Sequence, residues 1–271
     1  MIKFILPISL ILISFYGYSQ KIKSIDTSES TVYYDSLGKP VKLLNKHNKK
    51  VVDVYNYKNK YDQQNRLVSL NTFIDTIQLG RTINRYEENK LVRVDNYQRT
   101  KFGTAHKYIL FFYDKMDSLS RKIIFSNKGD TLKIISLGYT NNRLSQEVER
   151  DFEYKIIVQK EFTYTSYSKT ETEYRIDINS RDTTDLKESK MYFNKHGDVI
   201  KNEEWGLNAS ILMVDDKEIR VSKKEKRHGR KGYLNTSTIE YQYDKFNNWI
   251  KLDLYYKGSD KTTTKRTITY F

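Results

Sequence analysis

The sequence predicts an all-β fold: a repetitive antiparallel meander of β-hairpins forming an extended or curled sheet, with about 26 residues per repeat. Three observations carry that expectation. An aromatic residue followed by Asp or Asn, then usually Gly or Asn three positions further on, then an apolar residue, recurs along the chain. Its plainest copies are Tyr34-Asp35-Ser36-Leu37-Gly38, Tyr61-Asp62-Gln63-Gln64-Asn65-Arg66-Leu67, Tyr113-Asp114-Lys115-Met116-Asp117-Ser118-Leu119, Phe193-Asn194-Lys195-His196-Gly197-Asp198-Val199 and Tyr243-Asp244-Lys245-Phe246-Asn247-Asn248-Trp249. The aromatics at 34, 61, 86, 113 and 139 follow one another at steps of 27, 25, 27 and 26 residues, a period that marks a repeat architecture. Between the turns, apolar and polar residues mostly alternate, as from Phe152 to Phe162 and from Ile239 to Tyr243, which is the pattern of strands with one buried and one wet face.

Taken in order, the chain opens with Lys3 before a mostly apolar run from Phe4 to Phe15, then Gly17-Tyr18-Ser19. That is the layout of an export signal peptide, too short for a membrane-spanning helix, and residues 1–19 are expected to be cleaved after Ser19. Residues 20–271 are then a single all-β domain, since Pro40 is the only Pro beyond residue 20 and no Pro/Ser/Gly-rich linker divides them. Phe193 lies 54 residues past Tyr139, so an intervening turn is expected near Tyr167, at Ser168-Lys169-Thr170; another is expected near Val214 to Ile219, making roughly nine units. Gly38, Asn65, Asn89, Asn142, Gly197 and Asn247 sit where a tight hairpin needs positive φ, which these residue types tolerate best. A second set of turns, at 127–130, Trp205-Gly206-Leu207-Asn208, Arg227-His228-Gly229-Arg230 and 257–260, makes each repeat a hairpin of two strands.

The chain has no Cys, which excludes disulfides, a thiol nucleophile, Cys-ligated zinc and a lipid anchor on an N-terminal Cys. The formal charge is +14, and +13 once Lys3 leaves with the signal peptide. Such a protein favours anionic partners: an anionic glycan, lipopolysaccharide phosphates or a membrane surface. Nucleic acid is disfavoured for an exported chain without a recognised module, a partner protein remains open, and no transmembrane helix is expected after signal cleavage.

The aromatic-Asp-x-x-Gly/Asn-x-apolar unit, best matched by Ile239 to Lys251 (Ile-Glu-Tyr-Gln-Tyr-Asp-Lys-Phe-Asn-Asn-Trp-Ile-Lys), resembles the YD repeat of RHS-repeat proteins, and the whole chain resembles small exported YD-like proteins of Bacteroidetes type. The resemblance covers turns across most of residues 30 to 271. It implies β-hairpins wound into sheets or shells in secreted and surface proteins that enclose a cargo or bind carbohydrate. This chain often lacks the Gly and the downstream Thr-Arg-Tyr element, and it is far too short for a cargo-enclosing shell.

No constellation amounts to a catalytic site, and no cofactor or metal is expected. The four His, at 47, 106, 196 and 228, stand apart in or near expected turns, without the converging ligands a metal needs. Glu203 and Glu204 beside Trp205 are neighbours in a strand and point to opposite faces, unlike the paired carboxylates of a glycosidase. The dense basic run supplies Lys223, Lys224, Lys226, Arg227, Arg230 and Lys231 as candidate ligand-binding residues, either holding phosphate or sulfate groups or forming a mobile solvated loop. Trp205, Trp249 and Tyr255 are the candidate stacking surface. The leading expectation is therefore a non-enzymatic exported binding or structural module of the cell envelope, periplasmic, surface-bound or secreted, that recognises glycan or another anionic polymer. The alternatives are an outer-membrane β-barrel, suggested by roughly 18 strands and many Tyr, and an exported hydrolase.

Overall fold

The structure is a computed structural model that describes residues 22–47, 50–207, 211–214, 217–220, 223–256 and 261–270. The expected signal peptide and its cleavage site, Asn208, and the turn at 257–260 lie outside them. The strands are β1 (Ile22–Thr27), β2 (Ser30–Tyr34), β3 (Pro40–His47), β4 (Lys50–Tyr61), β5 (Leu67–Ile74), β6 (Ile77–Glu87), β7 (Lys90–Thr100), β8 (Gly103–Tyr113), β9 (Leu119–Ser126), β10 (Thr131–Thr140), β11 (Arg143–Asp151), β12 (Ile156–Tyr164), β13 (Ser168–Asp177), β14 (Thr183–Phe193), β15 (Val199–Gly206), β16 (Ile211–Val214), β17 (Lys217–Arg220), β18 (Lys223–Arg227), β19 (Arg230–Tyr243), β20 (Trp249–Tyr256) and β21 (Thr262–Tyr270).

β1 to β15 pair in sequence order, β15 continues to β19, and β19 to β20 and β21, every pairing antiparallel. β21 then pairs back onto β1, with Ile25 opposite Ile268 and Asp26 opposite Thr267. Eighteen strands thus form a closed ring, which corrects the expectation of an extended or curled sheet. Closure satisfies the edge groups that an open meander of this length would leave bare. The remaining strands leave the ring: β16 and β17 pair only with each other, and β18 pairs with the first residues of β19, along the edge that β20 occupies further on.

The recurring turn is one geometry. In Asp35 the carboxylate Oδ1 accepts the amides of Leu37 and Lys39, each at 2.9 Å, while Gly38 donates back to the Asp35 carbonyl. Asp62, Asp114, Asn194 and Asp244 repeat these bonds, and Ser126 does so with its hydroxyl. A side-chain oxygen two and four residues upstream replaces the partners a five-residue loop would otherwise lack. All six residues expected at positive φ adopt it, from 58° at Asn65 and Asn142 to 84° at Gly197.

Seven of the repeat aromatics also mark a one-residue slip in register: Tyr34, Tyr61, Tyr86, Tyr113, Tyr139, Phe193 and Tyr243. A bulge re-aims the side chain beside it. Tyrosines at or near these positions tie back to the preceding repeat: the hydroxyls of Tyr86, Tyr113, Tyr139, Tyr164 and Tyr241 donate to the carbonyls of Leu67, Leu91, Leu119, Leu144 and Val199 at 3.0–3.1 Å. Tyr61, Tyr243 and Tyr270 donate instead to the carboxylates of Asp35, Asp198 and Asp244. The intervening copy expected near Tyr167 is therefore built on Tyr164, with its turn at 165–167 and Ser168 already opening β13. The copy expected at 214–219 is the β16–β17 hairpin outside the ring, and Tyr270 supplies the ninth unit instead.

Little of the chain is enclosed. Among the described residues the buried apolar side chains are Phe162, Leu186 and Trp205, and two of the most deeply buried side chains are the carboxylates of Asp95 and Asp151. Both faces of the wall carry charge. Register places Arg81 and Arg85 beside Arg93 and Asp95 on one face, and Glu147, Glu149 and Asp151 in line with Lys160, Glu171, Glu173 and Lys187 on the other.

Two outcomes are expected from this wall. Tyr241→Phe, which removes one hydroxyl bond, should cost about 0.5–1.5 kcal/mol in urea unfolding, and Asp244→Ala, which orphans two turn amides and the Tyr270 hydroxyl, clearly more; equal or null effects would mean the turns do not hold the repeats together. The second concerns acid. Lys251 above all, then Thr263, holds the Asp253 carboxyl down at about 2, and Arg93 and Lys46 hold those of Asp95 and Asp26 below their usual range. A depressed carboxylate pKa stabilises the fold above the ordinary value near 4, and this is lost as pH falls towards 2. The urea midpoint should therefore drop between pH 4 and 2, and Asp253→Asn should flatten that drop.

Candidate functional site

The basic run forms a regular hairpin rather than a mobile loop. Lys223 to Arg227 run as β18, His228 and Gly229 turn with φ of 48° and 75°, and Arg230 and Lys231 open β19. Two residues with positive φ in succession give the tight hairpin turn that suits sheet twist. Trp205 fixes this hairpin to the wall. It is 1 % exposed, its indole N–H donates to the Glu225 carbonyl at 3.0 Å, and its ring lies so close over Gly232 that a Cβ there would fall 2.5 Å from it. Trp205 and Gly206 belong to β15, not to a turn, and an enclosed indole offers no stacking face, so the role expected of Trp205 becomes a structural one.

The six cations divide. Arg227 is bound by Glu225 at 2.7 Å and by Glu188, and His228 also meets Glu188 at 2.9 Å. Burial works against the Arg227 charge, but the two glutamates outweigh it and raise its pKa above the ordinary value. Lys223, Lys224, Lys226, Arg230 and Lys231 are exposed and form no ion pair among the described residues. They are the part of the run available to an anion.

Trp249 and Tyr255 do not join them. The Arg266 guanidinium lies 3.6 Å from the centre of the Trp249 ring, occupying one face, and burial draws the Arg266 pKa down to about 10. Tyr255 donates to Glu240 at 3.1 Å, and burial followed by that glutamate pushes its hydroxyl pKa up. The three aromatics thus sit in separate environments, and no common stacking surface forms.

Beside the basic hairpin opens a cavity of about 500 Å³, lined by Glu171, Glu173, Asp185, Lys187 and Glu204 with Trp205 at its edge. Lys160 neutralises Glu171 at 3.1 Å and Glu173 at 3.5 Å. Glu204 faces this cavity while Glu203 lies on the other face with Lys201 at 2.6 Å, which holds its pKa down. The two adjacent carboxylates diverge, as strand alternation requires.

Two features escaped the sequence. Glu188, the anchor of Arg227, is 39 residues away, and no local pattern points to it. His106 is no turn residue: it sits within β8, stacked on Tyr97 at 4.3 Å and 3.1 Å from Asp95, which also takes both arms of Arg93. The alternation of His106, Tyr108, Leu110 and Phe112 is the signal that places it mid-strand. His196 and His228 do lie in turns, and the side chain of His47 is outside the described residues.

No family model matches the chain, and no curated protein matches it by sequence. Among solved structures it is similar to a porin-like protein from Bacteroides uniformis, at 9 % identity over 93 % of this chain and 98 % of that one with a TM-score of 0.44. It is similar to a porin-like protein from Bacteroides vulgatus at 8 % identity over 93 % and 99 %, TM-score 0.28. A third likeness is to a crystal structure of TcdB2-TccC3-Cdc42, at 10 % identity, where 89 % of this chain covers 16 % of the other and the TM-score is 0.30. Likenesses this distant leave function to the chain's own geometry.

Arg227→Ser should destabilise the protein by about 1–3 kcal/mol, because Glu188 and Glu225 lose a shared charged donor. Lys224→Ser and Lys226→Ser should stay within about 0.5 kcal/mol. Urea unfolding of the three variants checks this, and equal effects would remove Arg227 from its anchoring role.

Proposed function

We propose that this chain is a non-enzymatic β-barrel of the cell envelope, standing in water, whose exposed basic hairpin recognises an anionic polymer such as acidic glycan or the phosphates of lipopolysaccharide. The observation that carries the reading is the closure of eighteen strands into a ring charged on both faces. A ring of this size encloses space rather than a packed core. Five exposed cations without an ion pair among the described residues, gathered on one hairpin that Trp205 fixes to the wall, supply the local field that attracts an anionic chain.

The outer-membrane barrel is the second reading, favoured by the closed ring and its even strand number. On β13 and β21, however, neither face is the apolar band that a lipid-facing wall needs. β13 presents Lys169, Glu171, Glu173 and Arg175 on one face and Thr170, Thr172 and Tyr174 on the other, and β21 alternates Lys265, Thr267 and Thr269 with Thr264, Arg266 and Ile268. Each Arg or Lys at the bilayer midplane would cost roughly 2–4 kcal/mol.

Fractionation of cells expressing the full chain separates the two. Release by osmotic shock or into the medium is expected; recovery only in detergent, with heat-dependent gel mobility, would establish the membrane barrel instead. The released protein should bind immobilised lipopolysaccharide in a salt-sensitive manner. Lys224→Ser with Arg230→Ser should weaken that binding and flatten its salt dependence, and unchanged affinity would remove the hairpin from recognition.

A further inference from the structure

The seam where the ring closes holds a second cavity, of about 730 Å³, within the size range of small-molecule sites. It is independent of the basic hairpin. Its floor is a row of directly opposed residues: Gln242 of β19 faces Lys251 of β20, and Lys251 faces Lys265 of β21. The next register along β21 adds Thr267, which faces Asp26 of β1. All line the cavity.

Two lysines directly opposite on neighbouring strands lie about 5 Å apart at Cα and repel one another. The wall compensates only one of them. Lys251 donates to Asp253 at 2.8 Å, and Asp253 is further occupied by Lys261 and Thr263. Asp26, the carboxylate that lines the cavity, is held by Lys46 and Thr31. Lys265 forms no ion pair among the described residues, and its side chain is exposed towards this space. Gln242 and Thr267 likewise form no side-chain hydrogen bond among the described residues, so an ammonium, an amide and a hydroxyl converge there without internal partners.

We propose that this seam cavity binds a small ligand bearing a phosphate or sulfate group, whose oxyanion bridges Lys251 and Lys265 while Gln242 and Thr267 hydrogen-bond its polar remainder. An oxyanion relieves the repulsion of the opposed lysines and accepts charge-assisted bonds from both. Because the ligand would join β19, β20 and β21 next to the β21–β1 pairing, its binding tightens the closure of the ring.

Calorimetric titration of the purified protein with inorganic phosphate, glucose 6-phosphate and glucose, at low salt, tests this. Saturable binding of at least one phosphate-bearing probe, with a rise in melting temperature, and no binding of glucose are expected. Tighter binding of glucose 6-phosphate than of phosphate would identify a sugar-borne group, and equal binding the free oxyanion. Lys265→Gln should weaken binding about tenfold or more, and Lys265→Arg should restore it. Lys265→Gln without ligand should melt no lower than the wild type, since it removes a like-charge pair. Lys224→Ser in the hairpin should leave the titration unchanged. Absence of saturable binding to either phosphate probe would overturn the proposal, as would undiminished affinity in Lys265→Gln or loss of binding in Lys224→Ser.

Discussion

The wall depends on one tie repeated around the ring: the tyrosine that ends one hairpin hydrogen-bonds to the start of the hairpin before it. In three repeats the same ring also lies under the cation that precedes the accepting carbonyl. Arg66 sits 4.6 Å over Tyr86, Lys90 5.6 Å over Tyr113 and Arg143 5.4 Å over Tyr164, next to Leu67, Leu91 and Leu144. In these three repeats an aromatic, a basic residue and a backbone acceptor thus join one unit to its neighbour. Such contacts are worth about 0.5–1 kcal/mol at exposed sites and more when desolvated. Multiplied around a ring, they supply cohesion that a chain with three buried apolar side chains among its described residues does not draw from a core.

That arrangement gives the composition a structural reading. The excess of Lys and Arg, read from the sequence as favouring anionic partners, is together with the many Tyr partly the material of the tie itself. The same holds for β18. Among the described residues it pairs only with β19, and a strand with one free edge invites pairing with another chain unless charge discourages it. Lys223, Lys224 and Lys226 lie on that strand, so they protect the edge whether or not an anion binds them.

Local chemistry was legible and long-range chemistry was not. The Asp-turn and its Gly or Asn were readable because a left-handed residue and a side-chain acceptor are needed within five residues, and Gly38, Asn65 and Asn247 are the residue types that meet the need. The period located most repeats, yet it misplaced one by three residues, because Thr165 and Ser168 close that turn with hydroxyls instead of a carboxylate. Closure rests on pairs such as Ile25 with Ile268, which no pattern within a repeat encodes. Trp205 misled for the same reason: its neighbours in sequence are polar, while the strand that covers it arrives 20 residues later.

A closed ring without a dense core must be held by its last seam as firmly as by its hairpins, because the first and last strands are joined by no turn. At that seam the bonds between β1 and β21 are reinforced from both sides. Lys46 of β3 reaches over β2 to Asp26 and to the Thr27 carbonyl. From β21, Arg266 packs on Trp249 and donates to its carbonyl, and Tyr270 caps the Asp244 turn. The seam is therefore stitched by long basic side chains where the hairpins use turns, and this is where cations collect without a matching number of acids. The stitching side chains of Lys46 and Arg266 line the same cavity as Lys251 and Lys265, so the positive charge gathered at the seam would be most stable with an anion beside it.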